Sequence, residues 1–286
     1  MVLAAPIVPG TGATLAVGDD FEDPEWEYVH NLPKSSSNID HNTRGPTGRS
    51  KNGQMYESNL RGQPDYIKRV DTPEGGIEGS TGALMMRSIY TGVPNSFSYQ
   101  DQQDDLIVNI SAKVRGYMPV SWSPSTVVRV YVPPFDQWEQ RSGTSFGFRA
   151  DVRGRKSSGK NAGKSEAYWP GFFIQYNRPN NKQSEPSAVL LIRGDQLGHE
   201  VMGPKITGPG WWTLGMSFSS DGQVHFYAHQ GVADLTAKDR LGSYYCYGFR
   251  AETFHSVFFN ICNIDNGKNW STPWVVDDPT VYYTRR

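Results

Sequence analysis

Trp212-Thr-Leu-Gly-Met-Ser-Phe-Ser-Ser-Asp-Gly-Gln-Val-His-Phe-Tyr227 reads as two short strands joined by a turn. Ser220-Asp221-Gly222 punctuates the run, and a glycine there supplies the positive φ that a hairpin turn needs. Beyond the turn Val224, Phe226 and Ala228 alternate with His225, Tyr227 and His229. An alternation of two sends one set to an apolar core and the other to a polar face.

The same kind of run recurs at short intervals, broken by clusters of Gly, Pro, Asn and Asp. Strands are expected at 83–88, 105–114, 126–132, 145–153, 171–177, 188–193, 256–263 and 274–283. No segment has convincing helical periodicity. The expected fold class is therefore all-β, a two-sheet antiparallel β-sandwich. Composition agrees: 30 Gly, 19 Pro and 13% aromatic residues suit many turns between short aromatic-rich strands, and a helical bundle would not be built so. Residues 1–18 read as a flexible lead-in and 19–286 as one domain. Within it, residues 31–80 are poor in apolar side chains and read as a long ordered loop excursion lying over the sandwich.

The formal net charge of −1 leaves no whole-protein basic field for nucleic acid. No stretch approaches 18 consecutive apolar residues, so no helical membrane span is expected. Leu3-Ala4-Ala5 looks like the tail of a trimmed signal peptide, which implies a secreted, periplasmic or cell-surface protein; a cloning scar or disordered terminus is the alternative. Cys246 and Cys262 are either one disulfide between adjacent strands or two buried thiols.

Alternation singles out a set of polar side chains. Phe146, Phe148, Ala150 and Val152 face the core, leaving Arg149, Asp151 and Arg153 outward; Phe172, Ile174 and Tyr176 leave Phe173, Gln175 and Asn177. Val257, Phe259 and Ile261 leave Phe258, Asn260 and Cys262 outward. If these strands and the one carrying His225, Tyr227 and His229 form one concave sheet, they line a groove for an anionic sugar chain; otherwise they form an ordinary solvated face. His225 and His229 are ~13 Å apart on a strand, too far to share one metal ion.

Three segments carry a family resemblance. Gly82-Ala-Leu-Met-Met-Arg87, the 212–227 hairpin and Trp274-Val-Val-Asp-Asp-Pro-Thr-Val-Tyr282 resemble the jelly-roll β-sandwiches of the concanavalin A-like lectin and glucanase superfamily. Arg149-Ala-Asp-Val-Arg153 is similar to the R-x-E-x-R strand of jelly-roll alginate lyases, with Asp in place of Glu. Ile174-Gln-Tyr176 stands where those enzymes carry Q-I-H, and His225-Phe-Tyr-Ala-His-Gln230 is loosely similar to their Y-x-x-G-x-Y-x-Q. The resemblance implies β-elimination on a uronate polysaccharide. Arg149 and Gln175 would neutralise the carboxylate, while His225 and Tyr227 exchange protons. Asp151, Arg153, Asn177, His229 and Asn260 would bind substrate. It also implies a structural calcium where the first and last strands meet, held by Asp20, Glu22, Asp277 and Asp278. No organic cofactor is implied. The paired-acid segment E-x-D-x-x-E of the related glucanases is missing, which argues against glycoside hydrolysis.

Gly154-Arg-Lys-Ser-Ser-Gly-Lys-Asn161 nearly spells a phosphate loop but lacks the terminal Ser or Thr and a following helix; it reads as a flexible basic loop whose Arg155, Lys156, Lys160 and Lys164 could steer an anionic polymer. Trp169, Trp211, Trp270 and Trp274 flank turns, where a ring can stack on a sugar or pack in the core. Three readings follow: a polysaccharide-active enzyme of lyase type, a non-catalytic carbohydrate-binding or cell-envelope module, and a structural protein assembling through edges or loops. A base–acid pair beside Arg149 favours the first, exposed aromatics without one favour the second, and a groove filled by residues 31–80 favours the third.

Overall fold

A computed structural model describes residues 6–45, 47–157, 162–181 and 184–284. The Leu3-Ala4-Ala5 segment and Lys160 lie outside the described residues. The chain forms strands β1 (Ala13–Gly18), β2 (Tyr28–Val29), β3 (Arg49–Ser50), β4 (Met55–Glu57), β5 (Tyr66–Asp71), β6 (Gly82–Arg87), β7 (Asp101–Val108), β8 (Met118–Pro119), β9 (Ser125–Val132) and β10 (Gly143–Lys156). It continues through β11 (Ser165–Tyr168), β12 (Gly171–Asn177), β13 (Ser187–Arg193), β14 (Glu200–Ile206), β15 (Gly210–Phe218), β16 (Val224–Gln230), β17 (Arg240–Tyr244), β18 (Phe249–Ile264) and β19 (Trp274–Tyr283). Among the described residues there are also two short α-helices, α1 (Ser37–Asp40) and α2 (Ile110–Val114), and a few single turns of 3-10 helix.

Two antiparallel sheets make the expected sandwich. Sheet A runs β17-β16-β15-β9-β19-β6-β5, with β1 also on β19; sheet B runs β14-β13-β12-β10-β18-β7-β4-β3-β2, with β11 on β10 and β8 on β18. The alternation read from the sequence holds. Phe146 and Phe148 of β10 stack against Phe259 of β18 at 6.1 and 5.7 Å. Across the layers Phe146 meets Trp274 of sheet A at 4.9 Å, and Phe172 meets Phe226 edge-on at 5.4 Å. Aromatic edges and faces interlock in this way because the ring quadrupole favours offset and T-shaped pairs.

Three expectations are corrected, and one open alternative, that of the cysteines, is decided. Residues 13–18 are not a flexible lead-in but the strand that pairs with the end of β19. The pairing is possible because β19 bulges between Asp277 and Thr280, where Asp278 has φ 48° and Pro279 has no amide hydrogen to donate. Gly18 faces that bulge with φ 89°, and a Cβ on it would fall 1.6 Å from the Pro279 oxygen. Residues 31–80 are less an overlying loop than parts of both sheets: β4 extends sheet B beside β7, and β5 closes sheet A beside β6. Their polar composition is used inward. Lys34 Nζ donates to Asp104 Oδ2 at 2.6 Å and to the Tyr90 oxygen at 2.7 Å, and pairs with Asp65 at 2.8 Å. Burial works against that ammonium, yet Asp104 and Asp65 hold its pKa above the ordinary lysine value. The strand expected over 105–114 stops at Val108, because Asn109 caps α2. Finally, both cysteines are free thiols: Cys246 lies in the inter-sheet core, and Cys262 faces outward from sheet B beside Gln103.

Phe259 joins two β10 phenylalanines in the centre of the core. Phe259→Ala is expected to cost about 3–5 kcal/mol in urea unfolding. A loss below about 1 kcal/mol would contradict this packing.

Candidate functional site

The outer face of sheet B carries the polar groups that alternation left over. Strands β13, β12, β10, β18 and β7 are neighbours, and four steps of about 4.8 Å make a floor about 19 Å across. The register puts Gly147 beside Phe173 and Asn260, Arg149 beside Phe258, and Asn260 beside Asp105. Gly147 leaves the room the floor needs: a Cβ there would meet Asn260 Oδ1 at 2.5 Å and the Phe173 ring at 2.8 Å.

Arg149 lies at the centre. Its guanidinium is 5.3 Å from the Phe173 ring centroid and 5.5 Å from that of Phe258, and Nε and Nη2 both donate to the Trp169 carbonyl at 3.1 and 2.9 Å. Arg193 shares the same phenyl ring at 5.3 Å. Burial lowers the Arg149 pKa, and the Arg193 charge adds to that effect; a guanidinium remains protonated even so. Arg193 donates from Nε to the Tyr247 hydroxyl at 2.8 Å and from Nη1 to Glu200 at 3.0 Å. Tyr247 is held with φ 57° against Gly194, where a Cβ would approach its ring to 2.9 Å.

Beside the arginines Asn260 donates to Asp105 Oδ1 at 2.6 Å, and Gln103 donates to the same oxygen at 2.9 Å. Burial pushes the Asp105 carboxyl pKa up, with these hydrogen bonds opposing it. Asn260 is fully buried and its Oδ1 has no protein partner among the described residues. Farther along the strands Asp151 is raised by burial and opposed by His255 and Arg153. His255 is lowered by burial, bonds to Thr253 Oγ1 at 2.8 Å and packs on Tyr117 at 5.4 Å. The face and its rim thus offer the guanidiniums of Arg149, Arg193, Arg153 and Arg61, amides, two carboxyls, a phenol and an imidazole.

Six of the nine residues singled out for catalysis or binding lie on this face or its rim: Arg149, Asp151, Arg153, Gln175, Asn177 and Asn260. Gln175 donates to Asn177 Oδ1 at 3.3 Å. The other three do not join them. His225, Tyr227 and His229 belong to β16 in sheet A, and their side chains leave that sheet on the far side of the sandwich. Tyr227 is covered by Val8, Val127 and Leu235, and His229 pairs with Asp239 at 3.3 Å. The single groove built from all four strands is therefore corrected, for a physical reason: alternation fixes which side of its own sheet a residue occupies, and says nothing about which sheet the strand enters. Asp151 is also joined by a second acid, Asp105, from β7.

The four carboxylates expected to hold calcium, Asp20, Glu22, Asp277 and Asp278, do not gather round one point. Glu22 accepts from the Thr81 amide and hydroxyl, Asp277 accepts from Ser80, and Asp278 accepts from Arg129 and Thr280. No group of three potential metal ligands converges among the described residues. Trp274 and Trp211 are buried, Trp270 is exposed against Arg87, and Trp169 is half-buried with its carbonyl on Arg149. Arg155 and Lys156, expected in a flexible basic loop, instead end the paired strand β10, where Arg155 bonds to Glu252.

Sequence reading missed Arg193, Tyr247 and His255. Arg193 was visible, since it continues the Val189, Leu191 alternation of β13. Tyr247 was not, because it precedes β18 in an irregular turn. His255 stands where the β10–β18 register shifts between Asp151 and Val152, which resets the phase that a simple alternation assumes.

His225 supplies a pH test. Burial first, then the nearby Arg240 charge, lowers its pKa to about 4, against an opposing Asp221. The unfolded chain therefore binds the extra proton first, and the stability His225 contributes is present above pH ~6.5 and lost as pH falls towards its folded value. His225→Gln is expected to flatten the fall in stability between those pH values relative to the unsubstituted protein, measured by urea unfolding at stepped pH. An unchanged slope would contradict a buried neutral imidazole.

No protein-family model and no curated protein sequence matches the chain. Solved structures similar to it include a carbohydrate esterase of the Shiga toxin-encoding bacteriophage phi24B, at 12% identity and TM-score 0.45 over 90% of this chain and 100% of that one. An endo-β-1,4-glucuronan lyase from the fungus Trichoderma reesei is similar at 13% identity and TM-score 0.38, covering 77% of this chain and 91% of that one. Alginate lyase PA1167 from Pseudomonas aeruginosa is similar at 11% identity and TM-score 0.39, covering 78% and 87%. Likeness at this level assigns no activity to the chain. No helix among the described residues is long and apolar enough to cross a membrane.

Proposed function

We propose that the protein is polysaccharide-active and that the outer face of sheet B engages an acidic glycan. The observation that carries this reading is the pair of guanidiniums, Arg149 and Arg193, over the one ring of Phe173, with the unpartnered Asn260 oxygen beside them. Two like charges held together on an apolar floor favour an anion, and guanidinium forks match a carboxylate. A neighbouring amide and aromatic rings suit the hydroxyls and faces of a sugar. An extended acidic polysaccharide is met outside the cytoplasm, so the reading implies an exported or cell-surface protein.

The catalytic form of the reading is β-elimination at a uronate. The guanidiniums would neutralise the carboxylate and so acidify the adjacent C–H. Tyr247, whose hydroxyl accepts from Arg193, is the proton-transfer group this chemistry would use. The non-catalytic binding module shares the same floor and differs only in lacking that step.

Titration with uronate oligosaccharides separates these forms. Arg193→Ala is expected to weaken binding at least about tenfold, about 1.4 kcal/mol, and added salt should weaken binding further. With a lyase, absorbance near 235 nm rises and Tyr247→Phe removes the rise while keeping the affinity. Binding without the rise selects the module. Equal affinity for neutral and uronate polymers would overturn the acidic-glycan reading.

A further inference from the structure

The opposite face of the sandwich holds a second constellation. His225 Nδ1 is 2.7 Å from Ser243 Oγ, and its Nε2 is 2.8 Å from Ser219 Oγ. Ser219 donates in turn to Asp221 Oδ1. Asp221 also accepts from the Gln223 amide at 3.2 Å and the Tyr245 hydroxyl at 3.2 Å. Although burial opposes its charge, these hydrogen bonds hold the carboxyl below its ordinary pKa.

Counting protons fixes the direction of the chain. An ionised carboxylate only accepts, so Ser219 gives it its proton. The Ser219 oxygen then accepts from His225 Nε2–H. A neutral imidazole has one donor and one acceptor, so Nδ1 carries the lone pair, and Ser243 must donate its hydroxyl proton to it. His225 is 2% exposed, whereas Ser243 is half-buried on the edge strand β17. Ser243 opens onto a cavity of about 430 Å³ that Arg240, Gln223 and Pro6 also line. A hydroxyl hydrogen-bonded to an oriented neutral imidazole at the wall of a cavity is the arrangement of an activated nucleophile.

We propose that Ser243 is a nucleophile for carboxylic ester hydrolysis, with His225 as its general base and Ser219 and Asp221 as positioning residues. Ser243 Oγ bonds to the ester carbonyl carbon while its proton passes to His225 Nδ1. The tetrahedral oxyanion collapses, the C–O bond to the alcohol breaks, and His225 returns the proton to the departing alkoxide. Water then attacks the acyl-serine, again giving a proton to His225, and the acid leaves as Ser243 recovers its proton. Arg240, lining the same cavity, carries the positive charge available to the oxyanion. This site is separate from the sheet B face and stands or falls independently of it.

The test uses the whole chain, p-nitrophenyl acetate and an alkyl fluorophosphonate, with peptide mass spectrometry to locate the label. The expected label is on Ser243. Ser243→Ala abolishes it, and His225→Gln slows it about 100-fold, with circular dichroism showing each variant folded. Ser219→Ala slows labelling roughly tenfold or more and Ser219→Thr restores it, a rescue that a merely structural serine would not show. The rate is flat from pH 6 to 8, because the base is already neutral there. No label on the folded protein, a label on Ser219 instead, or full hydrolysis by Ser243→Ala would overturn the proposal.

Discussion

The pairing of β10 with β18 is the constraint on which the rest of the structure depends. These are the two longest strands, and their register runs from Phe146 opposite Ile261 to Lys156 opposite Phe249. Because side chains alternate, this one register decides two surfaces at once. Inward it stacks Phe146, Phe148 and Phe259 and carries them to Trp274 of the other sheet. Outward it assembles Gly147, Arg149, Phe258 and Asn260. A slip of one residue would bury the arginine and expose the phenylalanines, so core stability and the polar floor are specified by the same hydrogen bonds.

The two faces of the sandwich are kept apart by how each is covered. Outside sheet A, Pro9 and Leu235 press onto Gly215, where a Cβ would meet Leu235 at 2.4 Å, and Tyr227 packs with Val127, Leu235 and Val8. At the β16–β17 end of that face Ser243 stays accessible. Outside sheet B the covering is made by the floor's own side chains: Arg149 and Arg193 lie over Phe173, while Val189 and Leu191 continue the apolar patch. Residues 31–80 reach this face at one edge, where Arg61 donates to Gln102 and lines a cavity together with Phe173 and Arg193. They extend both sheets, and their buried Lys34–Asp104 pair replaces the apolar contacts that the segment lacks.

Much of this was readable from local pattern. The hairpin at Asp221-Gly222, the long strands, the inward aromatics and six outward polar residues follow from a period of two and from turn chemistry. The rest depended on long-range choices that no local period encodes. His225 alternates as cleanly as Arg149, yet β16 pairs with β15 and β17 in sheet A. Tyr247 reaches Arg193 from an irregular turn, and His255 is turned by a bulge. β1 was invisible because its partner register is set by the Asp278-Pro279 bulge, at the opposite end of the chain. The lyase-like order of segments along the chain was therefore an incomplete guide: two of its three segments share a face, and the third lies on the other side.

Hydrogen exchange of the whole chain with and without a uronate oligosaccharide tests the central assignment most directly. The account predicts new protection in β10, β12, β13 and β18, diminished by salt, with β15 to β17 unchanged. Protection confined to β15 to β17, or binding that leaves β10 and β18 unaltered, would contradict it.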